Sequence, residues 1–219
     1  MEVNPRFEKR YYQKTFGGFF DRKLFTWKEL ENLINIRPLM THKRVLHHDG
    51  KSYQWENSLW TLDLNCYPPS ILSKLVKETG VCTFIDASRV SEKINAFAKK
   101  IEIDYNIETD AHIYTCMNIE AEHPFGSHWD HNDNVIVQCE GVTNFKVWEK
   151  LSNVEGWKGD RGHLTLTHQP LLDVEMKPGD AIWIPRYHPH LATSRTSRMS
   201  VSFCQSEGTN YQDREWVKL

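Results

Sequence analysis

The second half of this 219-residue sequence has a pattern that restricts the folds available to it. From residue 111 onward, short segments rich in β-branched and aromatic residues are separated by turn signals. In Lys177-Pro178-Gly179-Asp180, proline and glycine stand where a type II turn requires them. The pattern predicts a small antiparallel barrel or sandwich, whose mouth could hold a small molecule. The predicted strands are residues 111–118, 134–140, 142–148, 163–167, 172–176, 180–185 and 198–205.

The first half is predicted to be mainly helical. Thr26 is a candidate N-cap for a helix that ends near residue 36, and apolar spacing also predicts helices at 69–78 and 90–101. We therefore expect a mainly β fold with a helical N-terminal part, in one structural domain. Its parts are an N-terminal helical extension with the first barrel strands (1–110), the β core (111–205) and a C-terminal tail (206–219).

Composition narrows the functional classes. With 27 Lys and Arg against 29 Asp and Glu, the net charge of −2 argues against a dedicated polyanion binder. The basic, aromatic first 28 residues are expected to cover the open barrel edge, with nucleic-acid contact as the alternative. No apolar run approaches the roughly 20 residues of a membrane span, and no signal-peptide pattern is present. Five cysteines without a Cys-x-x-Cys pair fit reduced thiols in a reducing compartment. Because no membrane span or signal peptide is predicted either, we expect a cytoplasmic protein with no membrane partner.

The eleven histidines raise the question of a metal site. In an extended segment, residues i and i+2 face the same way, so His128 and Asp130 converge while Trp129 faces away. A third ligand is predicted at the end of the strand that follows the Pro-Gly turn, where His188 and His190 share one parity. Two histidines and one carboxylate leave three positions of an octahedron open, which is the arrangement of non-haem Fe(II) oxygenases.

These motifs resemble the JmjC-type branch of the cupin superfamily over residues 111–204. The resemblance implies a double-stranded β-helix (a jelly-roll or cupin barrel) of eight strands, with Fe(II) inside it and 2-oxoglutarate as cosubstrate. It also implies that the metal ligands are His128, Asp130 and His190, because the family's last ligand follows the proline of Ile184-Pro185 by five residues. The residues that carry the resemblance are His128-Trp129-Asp130, Val135-Ile136-Val137-Gln138, Gly141, Pro178-Gly179-Asp180-Ala181-Ile182-Trp183-Ile184-Pro185 and His190.

One position departs from the family pattern. The family commonly binds the distal carboxylate of 2-oxoglutarate with Lys or Arg fifteen residues after the first ligand, where this sequence has Thr143. Because a buried dianion needs a cation, Arg198 is the preferred replacement, Lys146 is the second candidate, and a site without either is the third possibility. Asn134 is expected either beside the metal and the cosubstrate or as an ordinary asparagine at the start of a strand, and Tyr114 and Thr115 are the candidate hydroxyl donors to 2-oxoglutarate.

The resemblance implies an Fe(II)- and 2-oxoglutarate-dependent oxygenase of hydroxylase or demethylase type. Such an enzyme uses dioxygen and couples oxidative decarboxylation of 2-oxoglutarate to oxidation of a substrate C–H bond. Thr143 keeps two alternatives open, namely a metal-binding cupin that binds a small ligand without turnover, and a dioxygenase or isomerase independent of 2-oxoglutarate. The primary substrate is open between a protein side chain, a small molecule and nucleic acid, and so is the oligomeric state. The winged helix typical of ribosomal oxygenases is not expected after the last strand.

Overall fold

The computed structural model describes residues 12–13, 24–35, 43–46, 52–53, 81–84, 91–105, 108–116, 126–151 and 164–205. The predicted helix at 69–78, the predicted tail and most of the first 28 residues lie outside this part of the chain. No helix among the described residues is long and apolar enough to cross a membrane.

The described elements form two antiparallel sheets and two helices. They are β1 (Tyr12–Gln13), α1 (Trp27–Asn35), β2 (Lys43–Leu46), β3 (Ser52–Tyr53), β4 (Val81–Phe84), α2 (Glu92–Tyr105), β5 (Thr109–Cys116), β6 (Asn134–Glu140), β7 (Thr143–Val147), β8 (Leu172–Met176), β9 (Ala181–Ile184), β10 (His190–Thr193) and β11 (Arg198–Gln205). The large sheet has the order β1-β9-β6-β11-β5-β4-β2-β3, and the small sheet has the order β10-β7-β8. Their apolar faces pack together, which confirms the predicted mainly β fold and the double-stranded β-helix that the resemblance implied.

Burial along the strands distinguishes the interior of the barrel from its outside. Alternate residues of β7 are buried, whereas every residue of β6 is buried because both of its faces are covered. Val135 and Val137 face the helical layer. Ile136 lies between them in sequence and packs with Phe145 and Val147 of the small sheet. Polar residues with the parity of Ile136 therefore line the interior of the barrel.

The two helices begin close to their predicted positions. Thr26 Oγ1 accepts a hydrogen bond from the Glu29 amide at 3.2 Å, and Glu29 Oε2 accepts one from the Thr26 amide at 2.8 Å. This reciprocal pair is a capping box, which explains why α1 begins at Trp27. In α2, Phe97 is fully buried and meets Phe203 of β11 edge to face, with ring centroids 4.6 Å apart. The helical layer thus supports β11 from behind.

Two expectations about strands are wrong. Residues 164–167 lie in the predicted strand 163–167 but form none, and Leu164 N instead donates one hydrogen bond to Ser127 O at 2.8 Å. The strand after the Pro-Gly turn ends at Ile184, so His190 does not end that strand but begins β10 in the other sheet. Pro185 and the turn that follows it conceal this four-residue strand from a search for alternation.

The turn between β6 and β7 depends on Gly141. Its φ is +65°, and a Cβ at this position would lie 2.0 Å from Ser197 O and 3.0 Å from Arg198 Cα. Ser194 Oγ also donates a hydrogen bond to Val142 O at 2.6 Å. The turn is therefore held against the start of β11. Thr143 follows two residues after Gly141, where the turn approaches the backbone of Arg198.

We expect Gly141→Ala to lower the free energy of unfolding by about 3 kcal/mol or more, because a left-handed backbone is strained and the new methyl group meets fixed backbone atoms. Gly179→Ala is the matched control, since Gly179 has a φ of +95° but no atom within 4 Å of its Cβ position. The control should lose only about 1–2 kcal/mol. Equal losses in urea denaturation would contradict the importance of the close approach.

Candidate active site

Backbone pairing brings two distant segments of the chain into contact. His128 N donates to His190 O at 3.0 Å, and His190 N donates to His128 O at 2.7 Å, which forms an isolated antiparallel bridge. His190 is the first residue of β10 and lies opposite Val147 of β7. The imidazole rings of His128 and His190 have centroids 4.3 Å apart. Histidines 62 positions apart in sequence thus lie side by side.

Asp130 completes a three-residue cluster. One nitrogen or oxygen atom from each of His128, Asp130 and His190 lies within 4.8 Å of the others. No other such group of histidine, cysteine or acidic residues occurs in the described part of the chain. Asp130 Oδ2 is 3.7 Å from His190 Nε2. Trp129 is buried and packs against Tyr187, so it faces away from the cluster as its parity predicted.

Backbone carbonyl groups orient both imidazoles of the cluster. His128 Nδ1 lies 3.1 Å from Gly126 O, and His190 Nδ1 lies 3.1 Å from His188 O. Because a carbonyl only accepts hydrogen bonds, this contact favours the tautomer with hydrogen on Nδ1, which leaves Nε2 to act as a metal ligand. Burial, followed by the nearby charge of His128, lowers the pKa of His190 to about 4, although Asp130 acts in the opposite direction. The His190 ring is therefore neutral at pH 7.

His188, the alternative third ligand, does not belong to the cluster. Its own Nδ1 lies 3.2 Å from Arg186 O, and burial lowers its pKa. The parity argument for His188 was wrong because strand alternation begins only at His190, after a turn. His188 supports the cluster through its backbone carbonyl rather than through its ring.

Three more polar side chains, on β6, β7 and β11, are buried and have an atom without a hydrogen-bond partner among the described residues. Arg198 is 8% exposed, and Gln138 and Thr143 are fully buried. Among the described residues, Arg198 Nε, Gln138 Oε1 and Thr143 Oγ1 have no hydrogen-bond partner. Burial lowers the pKa of Arg198, and no described carboxylate pairs with its guanidinium group. Buried polar atoms are normally satisfied, so this group is suited to a polar or anionic ligand.

Lys146 does not reach this interior. Its Nζ lies 3.5 Å from Asp173 Oδ2 of β8, and its side chain is 38% exposed. Phe145 and Val147, its neighbours on β7, are buried between the sheets. The alternation of β7 therefore turns Thr143 inward and Lys146 outward. Of the two candidate cations, Arg198 is the buried one, and it begins the strand against which the β6–β7 turn is held.

Asn134 and Tyr114 both lie on the interior face. Asn134 Nδ2 donates to Asp130 Oδ2 at 2.9 Å, so Asn134 contacts the cluster directly. Tyr114 lies opposite Ser200 of β11, and its Oη is 3.5 Å from His112 Nδ1. Because Ser200 lies two residues after Arg198 on β11, Tyr114 is displaced from Arg198 by two positions along the sheet.

The sequence analysis assigned no role to Ser202 or to the side chain of Gln138. Ser202 Oγ donates to Asn134 Oδ1 at 3.4 Å, and both residues are buried. Gln138 Nε2 donates to Glu140 O at 2.7 Å, which leaves its oxygen turned to the interior. The parity of β11 was the available signal, because Ser202 and Arg198 are polar residues at even spacing on one strand.

The fold and the cluster together define a class of protein. The family model of the JmjC domain matches residues 84–213, more than half of the chain, and the chain belongs to the JmjC domain family.

Individual relatives are more distant. The chain is similar to the bifunctional lysine-specific demethylase and histidyl-hydroxylase NO66 of Drosophila persimilis, with 21% identity over 210 residues, covering 94% of this chain and 28% of that protein. Its fold is similar to a structure of Escherichia coli YcfD, with a TM-score of 0.64, 21% identity, and coverage of 96% of this chain and 54% of that one. A structure of YcfD, a ribosomal oxygenase, with cobalt and 2-oxoglutarate has a TM-score of 0.56, 18% identity, and coverage of 86% and 46%. The chain thus spans under a third of the NO66 relative and about half of the YcfD chains.

We expect His190→Ala to weaken Co(II) binding by more than about 100-fold, beyond the range for residues that only support a metal ligand. His188→Ala is the matched control and should bind Co(II) nearly as the wild type does, because the His188 carbonyl that orients His190 is retained. Titration of the purified apo-protein, followed by visible absorption, measures both affinities. A larger loss for His188→Ala would contradict the assignment of His190.

Proposed function

We propose that the chain is an Fe(II)- and 2-oxoglutarate-dependent oxygenase of hydroxylase or demethylase type. The cluster of His128, Asp130 and His190 is the observation that carries this proposal. It offers two imidazole nitrogens and one carboxylate, a set that suits Fe(II) and leaves coordination positions open. Cys116, Cys139 and Cys204 form no disulfide and are outside the cluster, so the donor set differs from that of a structural zinc site.

The interior group around Arg198 supports 2-oxoglutarate as the cosubstrate. Arg198 is a buried cation without a carboxylate partner among the described residues, and it would bind the distal carboxylate of the dianion. Thr143 Oγ1 is free to donate a hydrogen bond to the same carboxylate. Ser202, which contacts Asn134, lies four residues further along β11, about 13 Å from Arg198 at the usual rise of a strand. The arginine side chain and the five-carbon dianion together can span this distance.

Each part of the chain has a separate task in this mechanism. When bound, the metal and 2-oxoglutarate would supply oxidative decarboxylation coupled to oxidation of a substrate C–H bond by dioxygen. His128, Asp130 and His190 would hold the metal from one side, and Arg198 would neutralise one charge of the dianion. Tyr114 would donate its hydroxyl hydrogen to the cosubstrate. Ile136 packs against the small sheet and keeps that part of the interior apolar.

A second candidate function is a metal-binding cupin that holds a small ligand without turnover. Thr143 favours it, because the family's usual cation is missing there and Lys146 faces outward. Arg198 would then bind the carboxylate or phosphate group of that ligand. This candidate and the oxygenase share the metal site and differ in whether 2-oxoglutarate is consumed.

The relatives favour a protein side chain as the primary substrate over a small molecule or nucleic acid. The names of the similar proteins describe lysine demethylation, histidine hydroxylation and ribosomal oxygenation. We also propose a cytoplasmic location and one structural domain, because Cys116, Cys139 and Cys204 are buried without forming a disulfide and β1 to β4 extend the same sheet as β11.

Succinate formation tests the oxygenase directly. We expect the purified chain to convert 2-oxoglutarate to succinate and carbon dioxide when Fe(II) and dioxygen are both present, and to bind 2-oxoglutarate anaerobically with Mn(II). His190→Ala is the control that should form no succinate. Metal binding without 2-oxoglutarate binding or turnover would contradict the oxygenase and favour the ligand-binding cupin.

Arg198→Ala should weaken 2-oxoglutarate binding by about 30-fold or more, because truncating one member of a buried charge pair costs at least about 2 kcal/mol. Lys146→Ala removes a cation of β7 that faces outward, so it should leave the affinity unchanged. Anaerobic calorimetry with Mn(II) measures both affinities. Similar affinities of the two variants would contradict the role of Arg198.

A further inference from the structure

The support of Asp130 extends beyond Asn134 into the last strand of the barrel. Asn134 Nδ2 lies 2.9 Å from Asp130 Oδ2, and Asn134 Oδ1 lies 3.4 Å from Ser202 Oγ. Asn134 and Ser202 are 7% and 4% exposed, so water has little access to either polar group. The three side chains form one hydrogen-bonded chain from β11 through β6 to the cluster.

We propose that Ser202 is a positioning residue that fixes the orientation of the Asn134 amide and thereby of the Asp130 carboxylate. This inference rests on the proposed function, because it assigns Ser202 to the support of the metal site. It changes the expected role of Asn134, whose donor nitrogen is engaged with Asp130.

The direction of each hydrogen bond follows from the chemistry of the groups. A carboxylate only accepts hydrogen bonds, so the Asn134 amide must present nitrogen to Asp130 and oxygen to Ser202. The Ser202 hydroxyl then donates to that oxygen. Without this donor, a rotated amide would place its oxygen against the carboxylate and repel it. Ser202 thus reinforces the amide orientation that the Asp130 carboxylate requires, and it holds the amide in place.

The strand that carries Ser202 also links the metal-ligand cluster to the buried cation Arg198. Arg198 and Ser202 lie on the same strand, and Phe203 anchors that strand to Phe97 of the helical layer. Residues that orient metal ligands typically change metal affinity 10- to 100-fold when they are removed, which sets the expected size of the effect.

Co(II) binding to the apo-protein tests the inference without relying on turnover. We expect Ser202→Ala to weaken Co(II) binding by about tenfold and to change the visible absorption of the bound Co(II), and Asn134→Ala to weaken it by up to about 100-fold. Ser200→Ala is the matched control on the same strand, and we expect it to leave Co(II) affinity unchanged. The melting temperature of each apo-protein monitors folding.

Ser202→Thr and Ser202→Val form a second pair that separates the hydroxyl from packing, because threonine and valine have nearly the same size. Threonine should retain the wild-type affinity and spectrum, and valine should lose both. Wild-type binding by both Ser202→Ala and Ser202→Val would overturn the role of Ser202, even if Asn134→Ala binds poorly. Failure of the wild-type chain itself to bind Co(II) would overturn the proposed function, and the inference with it.

Discussion

The reciprocal backbone hydrogen bonds between His128 and His190 are the contact on which the rest of the site depends. They attach the segment around residue 128 to β10, and β10 is held by its pairing with β7. In both histidines, Nδ1 binds the carbonyl two residues earlier, so the two rings share one local geometry. Asp130 then needs only the alternation of an extended segment to join them.

The last strand, β11, carries most of the remaining support. One of its faces packs into the helical core through Phe203, and the other presents Arg198 and Ser202 to the interior. A single strand therefore links the hydrophobic core, the buried cation and the hydrogen-bonded chain to Asp130. Gly141 permits the close approach that brings the β6–β7 turn against the beginning of this strand.

The sequence predicted the cluster more accurately than the strands that carry it. His128 and Asp130 are two residues apart, so local alternation was enough to bring them together. His190 was identified by resemblance to a motif, whereas its place at the start of β10 was not predicted, because the turn after Pro185 interrupts the pattern. The same interruption made His188 an equal candidate by parity.

The sequence by itself determined the donor types of the cluster, the barrel class and the absence of the family's usual cation at Thr143, because these depend on residue identity and local spacing. Alternation along the strand already predicted that Lys146 and Thr143 face opposite sides. Only the tertiary structure decided that the Thr143 side is the interior one, that Arg198 is buried without a carboxylate partner among the described residues, and that Ser202 reaches Asn134. These properties depend on strand register and on contacts between distant segments, which residue spacing along one strand does not specify.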